Sequence, residues 1–236
     1  MRWWLVLLCL SVATPVWADA SRDFDNVDDE VDAGNVNDVT TGDVTVCAWV
    51  NPDEDAEIDA FVSKKNANAD SNAGYSLQQT AVDTPRFSAS DGTDAATAIG
   101  TTDLDGVWSF QCGTFTSLTE TSVVYVNGVL ENSTAGTNVD SLSNAVSYQA
   151  GEHASDLQDA DGQISHNFMY TSILTVTEMV DLQWHPGIIA GMATWWTFWA
   201  DSPEQDLSGN NRDGTVEGSI ASAEGPPIFM AGGLPL

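Results

Sequence analysis

The run Val44-Thr45-Val46-Cys47-Ala48-Trp49-Val50 constrains this chain more than any other stretch. Its alternation places Val44, Val46, Ala48 and Val50 on one face of an extended segment, the pattern of a half-buried antiparallel strand. Asn51-Pro52 follows, and turn signals then recur at short intervals, as expected of an all-β sandwich. Residues 74–78 and 86–89 read as strands, with Pro85 at an edge and Asp91-Gly92 turning the chain. Residues 122–126 run into Asn127-Gly128, a strong two-residue hairpin signal, and Val129-Leu130 returns. Residues 162–170 alternate again. Thr175 and Glu178 then stand at capping-box spacing, which predicts one short helix over 175–182.

The first residues read differently. Met1-Arg2, the nearly all-apolar stretch from Trp3 to Val12, and Val16-Trp17-Ala18-Asp19-Ala20 describe a secretory signal peptide over residues 1–20, cleaved after Ala18 or Ala20. A membrane anchor is the alternative, but about 15 apolar residues fall short of the roughly 20 that a spanning helix needs. No later segment reads as a transmembrane span.

Processing would leave about 216 residues, enough for one large sandwich with a full core. The formal charge of −29 survives cleavage, because Arg2 and Asp19 leave together. Five basic residues remain: Arg22, Lys64, Lys65, Arg86 and Arg212. So negative a chain repels phosphate backbones and anionic membranes, which argues against nucleic-acid binding and suits cations or a saline habitat.

Several motifs resemble laminin-G-like and pentraxin-like domains of the concanavalin A-like group. Phe24-Asp25-Asn26-Val27-Asp28-Asp29-Glu30-Val31-Asp32, followed by the Val44–Val50 strand, resembles the opening of those domains. Trp108, Gly113-Thr114-Phe115 and Tyr125-Val126-Asn127-Gly128-Val129-Leu130 resemble their central hairpin motif. The resemblance implies an all-β fold, an antiparallel two-sheet jellyroll sandwich with one short helix, over residues 21–222.

In pentraxins one bridge joins a Thr-Val-Cys strand to a later cysteine. The resemblance therefore implies a disulfide between Cys47 and Cys112, against the alternative of two buried free thiols. Closing such a loop stabilises by roughly 4 kcal/mol in the chain-entropy model. The segment Asp206-Leu207-Ser208-Gly209-Asn210-Asn211-Arg212-Asp213-Gly214-Thr215 resembles one that precedes the opening strand in many relatives. Here it comes late, so residues 193–220 are expected to fold back and close the sandwich. The rival is the start of a truncated second module. Residues 223–236 read as an exposed tail.

Three loops carry oxygen ligands suited to Ca²⁺. Two lie where pentraxins keep their calcium ligands: the loop with Asp70 and Asn72, and the loop with Glu152, Asp156 and Asp159. The third is 206–213, for which an Asx/Gly turn is an equal alternative. For all three, solvated acidic turns remain the bland reading.

In Trp195-Trp196-Thr197-Phe198-Trp199, alternation would bury one set and expose Trp196 or its neighbours as a ligand platform, the alternative being core packing. Trp49 and Trp108 match core positions of the family. Glu57 and Asp59 partly match a glycosidase carboxylate pair, but the third acid of that pattern is missing, since Val62 and Ser63 stand there. His153, His166 and His185 show no ligand spacing, and His166 reads as a surface or edge residue.

The expected function is a secreted, noncatalytic module that binds carbohydrate or an extracellular protein, assisted by Ca²⁺. A structural surface or virion component and a glycan-degrading enzyme are the alternatives. Oligomeric state is not readable from the sequence.

Overall fold

The computed structural model describes residues 20–53, 57–67, 69, 71–154, 158–199 and 202–226. Residues 1–19 of the expected leader and residues 227–236 of the expected tail lie outside these. In chain order the strands are β1 (Ala20–Asp25), β2 (Glu30–Asp32), β3 (Val44–Pro52), β4 (Ala60–Ser63), β5 (Gly74–Gln79), β6 (Pro85–Ser90), β7 (Ala95–Ile99), β8 (Ser109–Thr116), β9 (Thr121–Val126), β10 (Val129–Ala135), β11 (Gln149–Ala150) and β12 (Asp161–Tyr170). Helix α1 (Val176–Trp184) follows, then β13 (Met192–Trp196), β14 (Thr215–Glu217) and β15 (Ala221–Glu224).

These elements form two antiparallel sheets. One runs β10-β9-β8-β3-β12-β1-β15 with β13 added beside β12, and the other runs β14-β2-β11-β4-β5-β6-β7. The fold is thus an antiparallel two-sheet sandwich with one short helix, a concanavalin A-like jellyroll. Within the C-terminal segment, β13 pairs with β12, β14 with β2, and β15 with β1. Pairing in β15 continues to Glu224, two residues past the expected domain end at 222. A buried Arg22–Glu204 ion pair at 3.0 Å also ties this segment to β1.

Strand β3 shows why the alternation carries such information. Val44, Val46, Ala48 and Val50 enter the core between the sheets, as the period-2 pattern requires. The opposite face is not solvated, however. Cys47 and Trp49 enter a second, aromatic core with Phe110, Cys112, Phe168, Tyr170, Met179 and Leu182, closed over by α1. The half-buried expectation is therefore corrected to a strand buried on both faces. Cys47 and Cys112 are register partners on β3 and β8 and form the disulfide in this second core.

Helix α1 starts where its cap dictates. The Thr175 hydroxyl accepts the Glu178 N–H, and the Glu178 carboxylate accepts the Thr175 N–H at 2.7 Å. Gln183 then donates to Asn127 Oδ1 at 3.2 Å, docking the helix on the hairpin turn. Asn127 and Gly128 both have positive φ, 50° and 75°, as a type I′ turn demands. A side chain at Gly128 would run into Val180.

Two local expectations fail on tertiary grounds. Pro85 opens β6, which is paired on both sides, so it stands at a strand start rather than a sheet edge. His166 is fully buried rather than superficial. It sits at a bulge, with φ 45°, where β12 slips by one residue against β3. The slip flips strand parity, so Ile164 faces the inter-sheet core and Phe168 the aromatic one. The His166 ring stacks on Phe168 and accepts the Trp195 indole N–H at 3.3 Å.

Candidate functional site

At one end of the sandwich the β1–β2 turn meets the segment leading into β12. Asn26 N–H donates to Ala160 O at 3.1 Å, and Gly151 (φ 100°) lies so close to the Phe24 ring and the Asp29 carbonyl that no side chain would fit there. This approach sets Glu30 of β2 beside Glu152. Gln149 of β11 donates its amide to both carboxylates, to Glu152 at 3.3 Å. The Glu152 carboxyl faces those of Glu30 and Asp159, and this like-charge company favours its protonated form.

Burial first, and then the neighbouring Glu30 and Asp159 carboxyls, push Glu152 up to about 9. Burial raises Glu30 as well. Gln149 is only 3% exposed, and its carbonyl oxygen Oε1 is buried without a hydrogen-bond partner.

The donors are hard oxygens of the kind a divalent cation takes, although Glu30, Glu152 and Asp159 are more widely spaced than the neighbouring Asp25, Asp28 and Asp29. Glu30, Glu152 and Asp159 supply carboxylate oxygens, and turning the Gln149 amide over would present its orphaned oxygen to the same space. Turned so, the amide oxygen would face carboxylates, which is favourable only with a cation between them. Next to it, ligand oxygens of Asp25, Asp28 and Asp29 lie within 4.8 Å of one another. Asp29 is partly committed, since it accepts the Ser219 N–H at 2.7 Å and the Asp25 N–H at 3.2 Å.

Of the five expected calcium ligands, the structure brings Glu152 and Asp159 together. Asn72 lies in the 69–72 turn, where its N–H donates to Ala69 O at 3.0 Å. Asp70 and Asp156 lie outside the described residues. Sequence reasoning missed Glu30 and Gln149. Glu30 was legible only as part of an acidic lead-in to the first strands, and the 119 residues separating it from Gln149 hide the contact.

Other candidate groups are structural. Asp206 Oδ1 accepts the N–H groups of Trp195 and Ser208, both at 3.0 Å, and Oδ2 accepts the Arg212 N–H at 3.0 Å and the Ser208 hydroxyl at 2.8 Å. Backbone donors thus satisfy this loop as an Asx turn that clamps β13. The platform expectation for Trp196 is corrected: the ring is fully buried against Tyr148 and Phe198, and its indole N–H donates to Arg212 O. Trp199, at 47%, is the exposed member of that run. Glu57 is exposed and Asp59 fully buried, so the pair does not present two carboxyls to one space.

The cations are withdrawn too. Among the described residues Arg22, Lys64 and Lys65 are buried and Arg86 and Arg212 half-buried, leaving no exposed Lys or Arg. His153, between Ser63 (2.6 Å) and Gln78 (2.8 Å), is held neutral, with burial lowering it to about 3.

The model of the concanavalin A-like lectin/glucanases superfamily (the laminin G type) matches residues 25–179. The chain belongs to this superfamily. No curated protein matches its sequence. Among solved structures it is similar to a protein from Bacteroides ovatus provisionally described as carbohydrate-binding, with TM-score 0.68 and 16% identity over 92% of this chain. The chain spans 63% of that protein's length. It is also similar to a heptameric SAP-like pentraxin from Limulus polyphemus, with TM-score 0.62 and 13% identity over 92% of this chain and 99% of that one. At such identities the likeness is one of fold. Within the concanavalin A-like frame Glu152 and Asp159 lie on the connection between β11 and β12, while Glu30 and Gln149 stand at the starts of β2 and β11.

Proposed function

We propose that this chain is an exported, noncatalytic carbohydrate-recognition module whose rim binds Ca²⁺. The observation that carries the reading is the Glu30–Gln149–Glu152–Asp159 cluster. It is an all-oxygen donor set in which mutual repulsion is relieved by a proton, and which a divalent ion would relieve better. A Ca²⁺ held there would offer coordination to vicinal sugar hydroxyls. The provisional description of the Bacteroides ovatus protein as carbohydrate-binding supports the ligand class. The absence of exposed Lys and Arg among the described residues fits a neutral or cationic ligand rather than an anionic one. The N-terminal pattern of residues 1–20 and the disulfide support export.

Calorimetric titration of the mature chain with CaCl₂ tests the cation arm. We expect saturable binding at roughly 10⁻⁴–10⁻³ M, as in extracellular modules, lost in Glu152→Gln. A glycan array run with and without EGTA tests recognition. Binding of no glycan under either condition would reject the reading.

A further inference from the structure

Helix α1 is apolar on two sides. Met179 and Leu182 are buried in the aromatic core, as an amphipathic helix requires. Val176, Val180 and Trp184, at i, i+4 and i+8, form a second stripe on the exposed side, and each is between 36% and 43% exposed. At a helical rise the stripe runs about 12 Å along the axis. At Val180 it meets the hairpin: a side chain at Gly128 would run into Val180, and the next two residues, Val129 and Leu130, are exposed as well. Trp184 is steadied by a T-shaped contact with Trp49, ring to ring 6.2 Å. Exposed apolar side chains grouped in this way mark interaction surfaces, whereas isolated ones do not.

Acids border the stripe. Glu178, Val180, Asp181 and Trp184 line one groove of about 320 Å³. Both cap bonds of Glu178 run through Oε2, which leaves Oε1 for a cation. Asp181 stands in the last turn, where the helix end is already negative, and no basic residue stands in that turn to offset it. The C-cap residue His185 faces Asp181 at 3.2 Å, but both side chains are more than half exposed, so the pair is worth little. A cation entering the groove would meet two carboxylates, the negative end of the helix and the Trp184 indole together. A second copy of this chain does not fit. It would set acids against acids, and among the described residues it offers no exposed Lys or Arg.

We infer that the exposed side of α1, with the start of β10, docks a basic amphipathic segment of another protein. Apolar side chains of that segment lie along Val176, Val180 and Trp184, and its Lys or Arg side chains enter the groove at Glu178 and Asp181. The stripe supplies affinity, and the acids select the sign of the partner's charge and speed its approach. Docking here needs no Ca²⁺: α1 covers the sheet of β3 and β8, whereas Glu30 and Gln149 stand on strands of the other sheet.

The test follows, by fluorescence anisotropy in EGTA, binding of the mature chain to a labelled helical Leu/Lys peptide with one apolar face. A scrambled peptide of equal charge and a Leu/Glu counterpart are titrated beside it. The amphipathic Leu/Lys peptide should bind about tenfold tighter than the scrambled one, and the Leu/Glu peptide should not bind. Val180→Ser and Trp184→Ala should each weaken binding about tenfold, the scale of losing one anchoring contact. Trp184→Ala can loosen the helix, so Trp184→Phe, which keeps a ring, should give a smaller loss. Asp181→Asn should weaken binding about threefold, a difference that added salt erases. Leu118→Ala, at the exposed tip of the β8–β9 hairpin, should change nothing. Equal binding of the scrambled peptide, or binding unchanged in both Val180→Ser and Asp181→Asn, overturns the surface. Binding of the Leu/Glu peptide overturns the basic class. Self-association of the free chain that Val180→Ser abolishes gives the stripe to a second copy and overturns the inference as well.

Discussion

Two carboxylate-rich loops of this molecule, 206–213 and the rim around Glu152, look alike in composition and behave oppositely. In the first, four donors converge on Asp206, so every negative charge has an N–H or O–H facing it. In the second, Glu30, Glu152 and Asp159 face one another, with only the Gln149 amide between the two glutamates. Counting acids therefore does not distinguish a turn from a cation site. What distinguishes them is that three backbone N–H groups and a hydroxyl face Asp206, whereas Glu30 and Glu152 share the single Gln149 amide. Donors that face a carboxylate finish a loop, and carboxyls that face one another favour a proton or a cation.

That contrast can be broken most forcefully at Asp206. Asp206→Ala orphans the Trp195 and Arg212 N–H groups and loosens β13, so denaturant unfolding should show a loss of about 3 kcal/mol. The loss should be the same with or without CaCl₂. A Ca²⁺-dependent loss would place the cation in the wrong loop.

The rim should respond to pH in the opposite sense to an ordinary paired carboxylate. Glu152 is raised to about 9 in the folded chain, so it holds its proton there at pH values where the unfolded chain has released it. Its stabilising contribution is complete below the ordinary glutamate range and is lost as pH rises toward 9. Glu30 shifts in the same direction. Thermal melts of calcium-free protein should thus show a midpoint falling from pH 5 to pH 9. Saturating Ca²⁺ should flatten that slope, and Glu152→Gln should flatten it without the ion. A midpoint that rises with pH would contradict the raised Glu152 and Glu30 carboxyls.

The smallest effect is expected at Asn72, whose N–H closes the 69–72 turn on Ala69 O. Asn72→Ala should change stability by no more than about 0.5 kcal/mol and leave Ca²⁺ titration unaltered. A lost calcium signal in that variant would join the 69–72 turn to the Glu152 loop.

Much of the architecture was legible locally. Val44 to Val50 alternate because one face enters the inter-sheet core, Asn127-Gly128 turns because both residues accept positive φ, and Thr175 with Glu178 start the helix through hydrogen bonds only three residues apart. The site was half legible. Glu152 and Asp159 lie in one loop and could be paired by eye, whereas Glu30 and Gln149 join them only across strands far apart in sequence.

Trp196 and His166 show the same limit from the other side. Alternation marks which residues share a face, but not what covers that face. The bulge at His166 reverses parity, and the neighbouring run buries Trp196 while exposing Trp199. Periodicity, turn chemistry and capping are short-range properties, so the residues alone determined the strands, the hairpin and the helix. Burial and electrostatic company depend on which distant segments meet. The second aromatic core, the withdrawal of the basic side chains and the convergence of acids at the rim were therefore decided only when the two sheets closed.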